Sequence, residues 1–410
     1  MIQVSFLFLR IPEPFTFQTL GGFATGVCLR RNDALASDLC VWEWGLSRFR
    51  FETLGEFGPT RPDKKSVLFQ HIRELEASDF TAGFIRSPRP NHHMGTTADL
   101  AHHFVEAVDQ AAIASAAWRG LGDKNAADDA AVEAMRRTFD NVPFDGRVAI
   151  GEGERDEAPM LYIGEPLGSM VGQVGATQID IAVDPLECTN NCASNSPNSI
   201  AVLAAAPRGT LLHAPDCYMD KLAAGPDLRD HVSLDGGVAY NVEQAMHVLD
   251  KPAEDIRVVA LDRDRHKTLF EEIRATGAQL HLMGDGDVSA AIWAAKKEGP
   301  YDMLMGIGAA PEGVISATAL RGLGGVFEGR LVFRSDEEEA RAATMVNDDL
   351  TRLWKAHDLC QSEDAIFAAA GVCDGYLPGV VLSEESTTTY NELIDVERGT
   401  VTRNDVIRPR

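Results

Sequence analysis

Asp184, Glu187 and Thr189 fall within six positions of one another, around Pro185 and directly after the run Ile179 to Val183. Further acids occupy comparable places. Asp128 follows Lys124 by four residues in "DKNAAD", so the two share a helix face. Glu152 follows "RVAI" in a turn flanked by glycines, and Glu312 lies just inside a helix start marked by Pro311 at the first helical position. Strand ends and helix starts are where an α/β protein presents side chains to a crevice. An oxygen-rich set with no competing histidine cluster suits a hard divalent cation, Mg²⁺ or Mn²⁺. Two such ions about 3.5 to 4 Å apart activate water and take up charge on both oxygens of a phosphoryl displacement. A helix start such as that at Pro311 also offers free N–H groups to phosphate. The chemistry implied is metal-assisted hydrolysis of a phosphate ester. Taken singly, each acid fits a helix cap, a dipole complement or a solvated side chain equally well. The joint occurrence carries the reading.

The elements that position these groups follow an α/β pattern. "TADLAHHFVEAVDQAAIASAAWRGLG" is helical from Thr96 or Thr97, and "DKNAADDAAVEAMRRTF" forms a second helix with Val132, Met135 and Phe139 on one apolar face. Strands are expected in "GRVAIGEGE", "QIDIAVDP", "SIAVLAAA", "IRVVALD", "AQLHLMGDGD" and "YDMLMGIG". The helices "RHKTLFEEIRATG" and "PEGVISATALRGLGG" alternate with them and end at glycine.

The chain has 410 residues, 45% of them hydrophobic, which is ample for sizeable cores. Seven cysteines without CxxC pairs give no support for a disulfide framework or a structural zinc site, and a reducing cytoplasm is the expected compartment. The opening "MIQVSFLFLRIPEPF" is broken by Arg10 and Pro12, and no apolar stretch is long enough to span a membrane. The net charge of −24 argues against nucleic acid or an anionic membrane as the main partner, so an anionic small substrate needs local cations. Residues 1–93 are nearly neutral and hold most of the phenylalanines, with "FGPTRPDKK" and "RSPRPNHH" interrupting any sustained period. A boundary is therefore expected near Met94, separating an N-terminal extension, 1–93, from a catalytic region, 94–410.

Within that region "GDKNAAD", "IGEGERDEAPMLYIGE", "DIAVDPLECT", "HAPDCYMDKL", "DGDV" and "GIGAAPEGV" resemble, in order and spacing, the motifs of class II fructose-1,6-bisphosphatases. The likeness continues to "AGVCDGYLPGV" and "RGTVTR". Some members of that family also hydrolyse sedoheptulose bisphosphate. The resemblance implies a layered αβαβα sandwich with a metal-binding half, about 94–250, and a substrate-binding half, about 251–410. It implies metal ligands at Asp128, Glu152, Asp184, Glu187 and Glu312, with Mg²⁺ or Mn²⁺ as cofactor. Lys124 and Glu312 match residues beside the transferred phosphate, and Thr189 one that positions the attacking water. Tyr218 matches a substrate contact, Arg263 and Arg265 the basic pair at the non-reacting phosphate, and Asp285 and Asp287 acceptors for sugar hydroxyls. Without the likeness, Tyr218 reads equally as a buried ring and the arginines as a solvated helix start. A homo-oligomer is implied as well.

The chain departs from the family pattern at Leu121, where an arginine is usual, and at Asp129, Cys188, Asn195 and Ala309, where glycine is usual. Residues 1–93 have no counterpart in it. Three functions follow: removal of the C1 phosphate of fructose 1,6-bisphosphate, with sedoheptulose 1,7-bisphosphate as a further substrate; a catalytically weak sugar-phosphate-binding homologue with a regulatory role; or an inositol or nucleotide phosphatase of the same superfamily.

Overall fold

In this computed structural model the chain separates into two units, Met1–Pro90 and Asn91–Arg410. The structure describes residues 95–153, 160–346 and 349–410 together with the backbone of four strands in the first unit. Met94, most of "FGPTRPDKK", all of "RSPRPNHH" and residues 154–159 of the acidic motif lie outside the described residues. In the first unit, β1 (Phe17–Leu20), β2 (Phe23–Asn32), β3 (Ala36–Gly45) and β4 (Arg48–Phe57) form an antiparallel meander in that order. The sequence reading found no sustained period there.

The second unit is built on two mixed sheets. The larger contains β5 (Asp145–Ile150), β6 (Pro166–Leu167), β7 (Gln178–Glu187), β8 (Ile200–Pro207), β15 (Ile366–Gly371), β16 (Val381–Leu382) and β17 (Ser386–Asp395), in the order β16-β17-β15-β8-β7-β5-β6, with β18 (Thr400–Pro409) also paired to β17. The smaller contains β9 (Tyr218–Ala224), β10 (Arg257–Leu261), β11 (Gln279–Met283), β12 (Met303–Ala309), β13 (Val326–Val332) and β14 (Trp354–Lys355), in the order β11-β10-β12-β9-β13-β14.

Strand alternation sorts the buried side chains into three cores, and these define the layers. Ala201, Leu203 and Ala205 of β8 pack with Phe104, Val108, Met135 and Phe139 of α1 (Ala101–Ala116) and α2 (Lys124–Phe139) on the outer face of the large sheet. Ile200, Val202 and Ala204 turn the other way, into a middle core shared with Met219 and Ala223 of β9 and with helices α6 (Asp287–Ala295) and α7 (Ala310–Leu323). Leu222 and Ala224 of β9 face outward onto α4 (Gly237–Leu249) and α5 (Lys267–Ala275) through Val242, Ala245 and Ile273. The result is the five-layer αβαβα sandwich expected from the sequence.

The named strand and helix segments fold as read. The first helix begins as a 3₁₀ turn at Ala98–Leu100, and α7 ends at Gly324 with φ of 69°, the left-handed stop for which glycine is suited.

Candidate active site

The two carboxylates of the opening motif reach one face because β7 is irregular. In a regular strand, residues three apart point to opposite faces. Here Asp184 pairs with Val202 and Glu187 with Ile200, so β7 carries one more residue than β8 between these pairs. This is a β-bulge at Pro185 and Leu186, a place where a strand tolerates proline. Asp184 Oδ1 accepts the Leu186 N–H at 3.2 Å, and Glu187 Oε1 accepts the Val288 N–H at 3.0 Å, at the start of α6. A second irregularity, between Val148 and Ile150 of β5, precedes Glu152. Gly151 is required there: a Cβ would stand 1.9 Å from the Leu161 carbonyl oxygen, and the Glu152 N–H donates to that oxygen at 3.0 Å.

After Glu187 the chain turns into the short helix α3 (Thr189–Ser194) through Cys188, with φ of 66° and ψ of 53°. Thr189 is therefore the first helical residue. Asn195 closes this helix at φ of 51°. Of the four positions where glycine was expected, these two are left-handed; Ala309 is extended at φ of −78°, and Asp129 lies inside α2. Asparagine tolerates the left-handed region well. Cys188 is buried, its thiol pushed far above the ordinary range by burial and by Glu187, Asp285, Asp184 and Asp287, so it stays protonated. Gly286 (φ 100°) lies against it: a Cβ there would meet Asn198 Nδ2 at 2.5 Å and Cys188 Sγ at 3.1 Å.

The acids act on one another through space. Burial and Asp129 push Asp128 up to about 6; burial, Asp128 and Glu312 push Glu152 up to about 8. Burial, then Glu187, Glu152, Glu312 and Asp128, raise Asp184 well above the carboxylate range. Burial and Asp287 do the same to Glu187 despite the Val288 N–H, and burial and Asp287 bring Glu312 to about 7 against the opposing charge of Lys221. Glu187 Oε2 and Glu312 Oε2 are buried with no hydrogen-bond partner among the described residues. Buried acids with orphaned oxygens are the donor set a hard cation satisfies. Among the described residues, no three histidine, cysteine or acidic side chains converge tightly enough to hold one ion. Local donors divert several of them: Asp184 toward Leu186, Glu187 toward Val288, and Asp287 toward Lys221.

Lys221, in the quoted "DCYMDKL" but given no role by the sequence reading, is 1% exposed, and its Nζ donates to Asp287 Oδ2 at 2.5 Å. Lys124, by contrast, is exposed at the first position of α2. Tyr218, half-buried at the start of β9, has the Arg265 guanidinium 4.6 Å from its ring centroid and that of Arg334 at 4.9 Å. Arg334 was also missed; the signal was an arginine just after a strand, before the Ser335 cap of the next helix. Arg265 donates to the Ile307 carbonyl at 2.7 and 3.1 Å, while Arg263 is turned to the Gly284 carbonyl and to Asp285 Oδ1, 3.2 Å away. The structure thus groups Asp128, Glu152, Asp184, Glu187 and Glu312, sets Asp285 and Asp287 beside them, and gathers Tyr218 with two arginines.

The chain matches the family model described as bacterial fructose-1,6-bisphosphatase, glpX-encoded, over residues 98–407. It is 44% identical over 327 residues to the D-fructose 1,6-bisphosphatase class 2/sedoheptulose 1,7-bisphosphatase of Thermosynechococcus vestitus, covering 74% of this chain and 94% of that protein. Proteins of the same description from a Synechococcus species and from Prochlorococcus marinus are 46% and 44% identical over 308 residues, covering 72% of this chain and 91% of each.

Proposed function

The chain belongs to the bacterial, glpX-encoded fructose-1,6-bisphosphatase family, phosphoric monoester hydrolases, and from that premise we propose how its residues divide the work of converting fructose 1,6-bisphosphate to fructose 6-phosphate and phosphate. Asp128, Glu152, Asp184, Glu187 and Glu312 would hold divalent cations, Mg²⁺ or Mn²⁺, which suit an all-oxygen donor set. Such ions lower the pKa of bound water and take up charge on phosphoryl oxygens.

The remaining work falls to the chain. Thr189, fixed at the start of α3 directly after Cys188, orients the attacking water at the C1 phosphorus. Lys124, free in solvent at the start of α2, offers positive charge to the phosphoryl oxygens as they gain charge. Arg265 and Arg263 take the non-reacting phosphate, with Tyr218 as a flat wall beside Arg265. Asp285 and Asp287 accept sugar hydroxyls. Sedoheptulose 1,7-bisphosphate, named for the relatives, fits the same division of labour because it too carries a phosphate at each end. A homo-oligomer and a cytoplasmic location belong to this reading as well; among the described residues no helix is long and apolar enough to cross a membrane.

The single observation that carries the reading is the buried pair of orphaned carboxylate oxygens, on Glu187 at the end of β7 and on Glu312 in the first turn of α7. One observation favours a second reading, a sugar-phosphate-binding protein with little turnover: the left-handed backbone of Cys188, next to Thr189. Phosphate release from fructose bisphosphate, sedoheptulose bisphosphate and inositol monophosphate, with Mg²⁺ or Mn²⁺, separates them. Turnover of the sugar bisphosphates supports the first reading; binding without release supports the second; inositol monophosphate as the preferred substrate defeats both.

A further inference from the structure

We propose that Lys221 is a positioning residue that keeps Asp287 committed to the sugar side of the site and withholds it from the cation-binding acids. The inference rests on the assignment of those acids to divalent cations and of Asp287 to sugar hydroxyls.

Along β9, Met219, Lys221 and Ala223 point into the middle layer, and the two apolar residues belong to its core. A lysine in that row costs several kcal/mol of desolvation unless a carboxylate meets it. Asp287 does so, Oδ2 lying 2.5 Å from Nζ.

The backbone is shaped around this pair. A Cβ on Gly308 of β12 would stand 1.9 Å from Asp287 Oδ2 and 3.0 Å from Lys221 Nζ; one on Gly313 of α7 would stand 3.5 Å from Lys221 Cε. Gly308 therefore leaves room for the charged ends of the pair, while Gly313 makes room for Met219, whose Sδ would stand 2.7 Å from a Cβ there.

Asp287 also has a competing direction. It is the first residue of α6, and the next N–H along, that of Val288, is taken by Glu187. Asp287 is the foremost charged neighbour of both Glu187 and Glu312. Freed of Lys221, its carboxylate would be a sixth acid at the edge of that set. A hard cation accepts additional carboxylate oxygens readily, so the compact lysine charge decides to which task Asp287 is given.

The test is Mn²⁺ binding by calorimetry on the full chain, with KM and kcat for fructose bisphosphate measured alongside. Lys221→Met is expected to bind Mn²⁺ about tenfold more tightly, the scale at which groups behind metal ligands act, or to take an additional ion, while KM rises more than kcat falls. The double variant Lys221→Met, Asp287→Asn should return the Mn²⁺ isotherm to that of wild type. Asp287→Asn alone, whose amide oxygen can still accept from the Lys221 ammonium, should raise KM and leave the Mn²⁺ isotherm unchanged. The double variant, which leaves neither charge of the pair behind, decides the matter even where a single variant does not fold: weaker Mn²⁺ binding in it than in wild type would likewise make Asp287 an ion ligand. Weakened Mn²⁺ binding in Asp287→Asn would make Asp287 an ion ligand and overturn the proposal, as would identical isotherms for Lys221→Met and wild type. A wild-type chain that takes up no Mn²⁺ would remove the assignment of the acids and this proposal with it, whereas the other failures overturn this proposal alone.

Discussion

Replacing Cys188 by glycine and by alanine separates backbone strain from side-chain packing. At ordinary positions alanine is the more stabilising of the two by about 0.5 to 1 kcal/mol, because glycine loses more freedom on folding. Cys188 stands at φ of 66° and ψ of 53°, where any Cβ costs about 1 to 2 kcal/mol. Both variants lose the thiol that packs against the Gly286 turn, a loss of about 1 kcal/mol common to the two. Only glycine relieves the Cβ. The usual order should therefore invert, with Cys188→Gly more stable than Cys188→Ala by about 1 kcal/mol. Urea denaturation of both variants in the same buffer, compared at equal m, reads this as a difference in midpoint. Turnover supplies a second readout: if the strained turn displaces Thr189, the glycine variant is several-fold faster than wild type. An alanine variant as stable as the glycine variant, or more so, would show that the turn carries no strain.

Asp184→Asn and Glu187→Gln should each lower turnover about a hundredfold or more, the scale of removing a principal electrostatic contribution, with near-ultraviolet circular dichroism unchanged; full activity of either variant at saturating metal would contradict its assignment as a ligand. In chelator, Asp128, Glu312 and Glu152 are raised to about 6, 7 and 8, above their unfolded values, so the folded state holds more protons than the unfolded state up to about pH 8. The contribution of these three acids to the stability of the metal-free protein should then fall as pH rises from about 4.5 to 8, read as the pH-dependent difference in chelator between wild type and Glu152→Gln, with Mn²⁺ restoring it; a difference that does not change with pH would show that the acids do not press on one another. Gly308→Ala should break the Lys221–Asp287 pair and raise KM for the sugar bisphosphate at least about tenfold, the effect of misplacing a binding group; unchanged kinetics would mean the pair is dispensable. Residues 94–410, expressed alone, should fold and retain metal-dependent turnover, since the two units separate between Pro90 and Asn91; aggregation of that fragment would place the first unit in the fold.

The acids were legible because each stands at a strand end or helix start, where apolar periodicity stops and a charged residue follows. Periodicity also gave β7, β8, β10, β11 and β12, whose apolar runs are long enough to stand out. It failed at β9, where "YMDKLAA" places Asp220 and Lys221 together in mid-strand. A charged residue in such a run reads as facing solvent, and only the three-dimensional partner, Asp287, shows that Lys221 faces in. The bulge at Pro185 and Leu186 was likewise hidden, because it depends on the register of β7 against β8 and not on residue type. Helix α6 was overlooked as "DVSAAIWAA", a segment buried on nearly all sides whose apolar residues show no amphipathic period. Cys188 was marked as a departure from glycine, yet the same reasoning applied to Ala309 did not hold, since the backbone there is extended.

The acid cluster is proposed to serve hydrolysis at one end of a sugar bisphosphate. The most direct measurement is ³¹P nuclear magnetic resonance of fructose 1,6-bisphosphate incubated with the full chain and Mn²⁺, and in parallel with excess chelator. With Mn²⁺ the C1 phosphate signal should give way to inorganic phosphate while the C6 signal shifts to that of fructose 6-phosphate, and neither should change in chelator. Loss of the C6 phosphate, undiminished hydrolysis in chelator, or persistence of both signals with the substrate bound would contradict it.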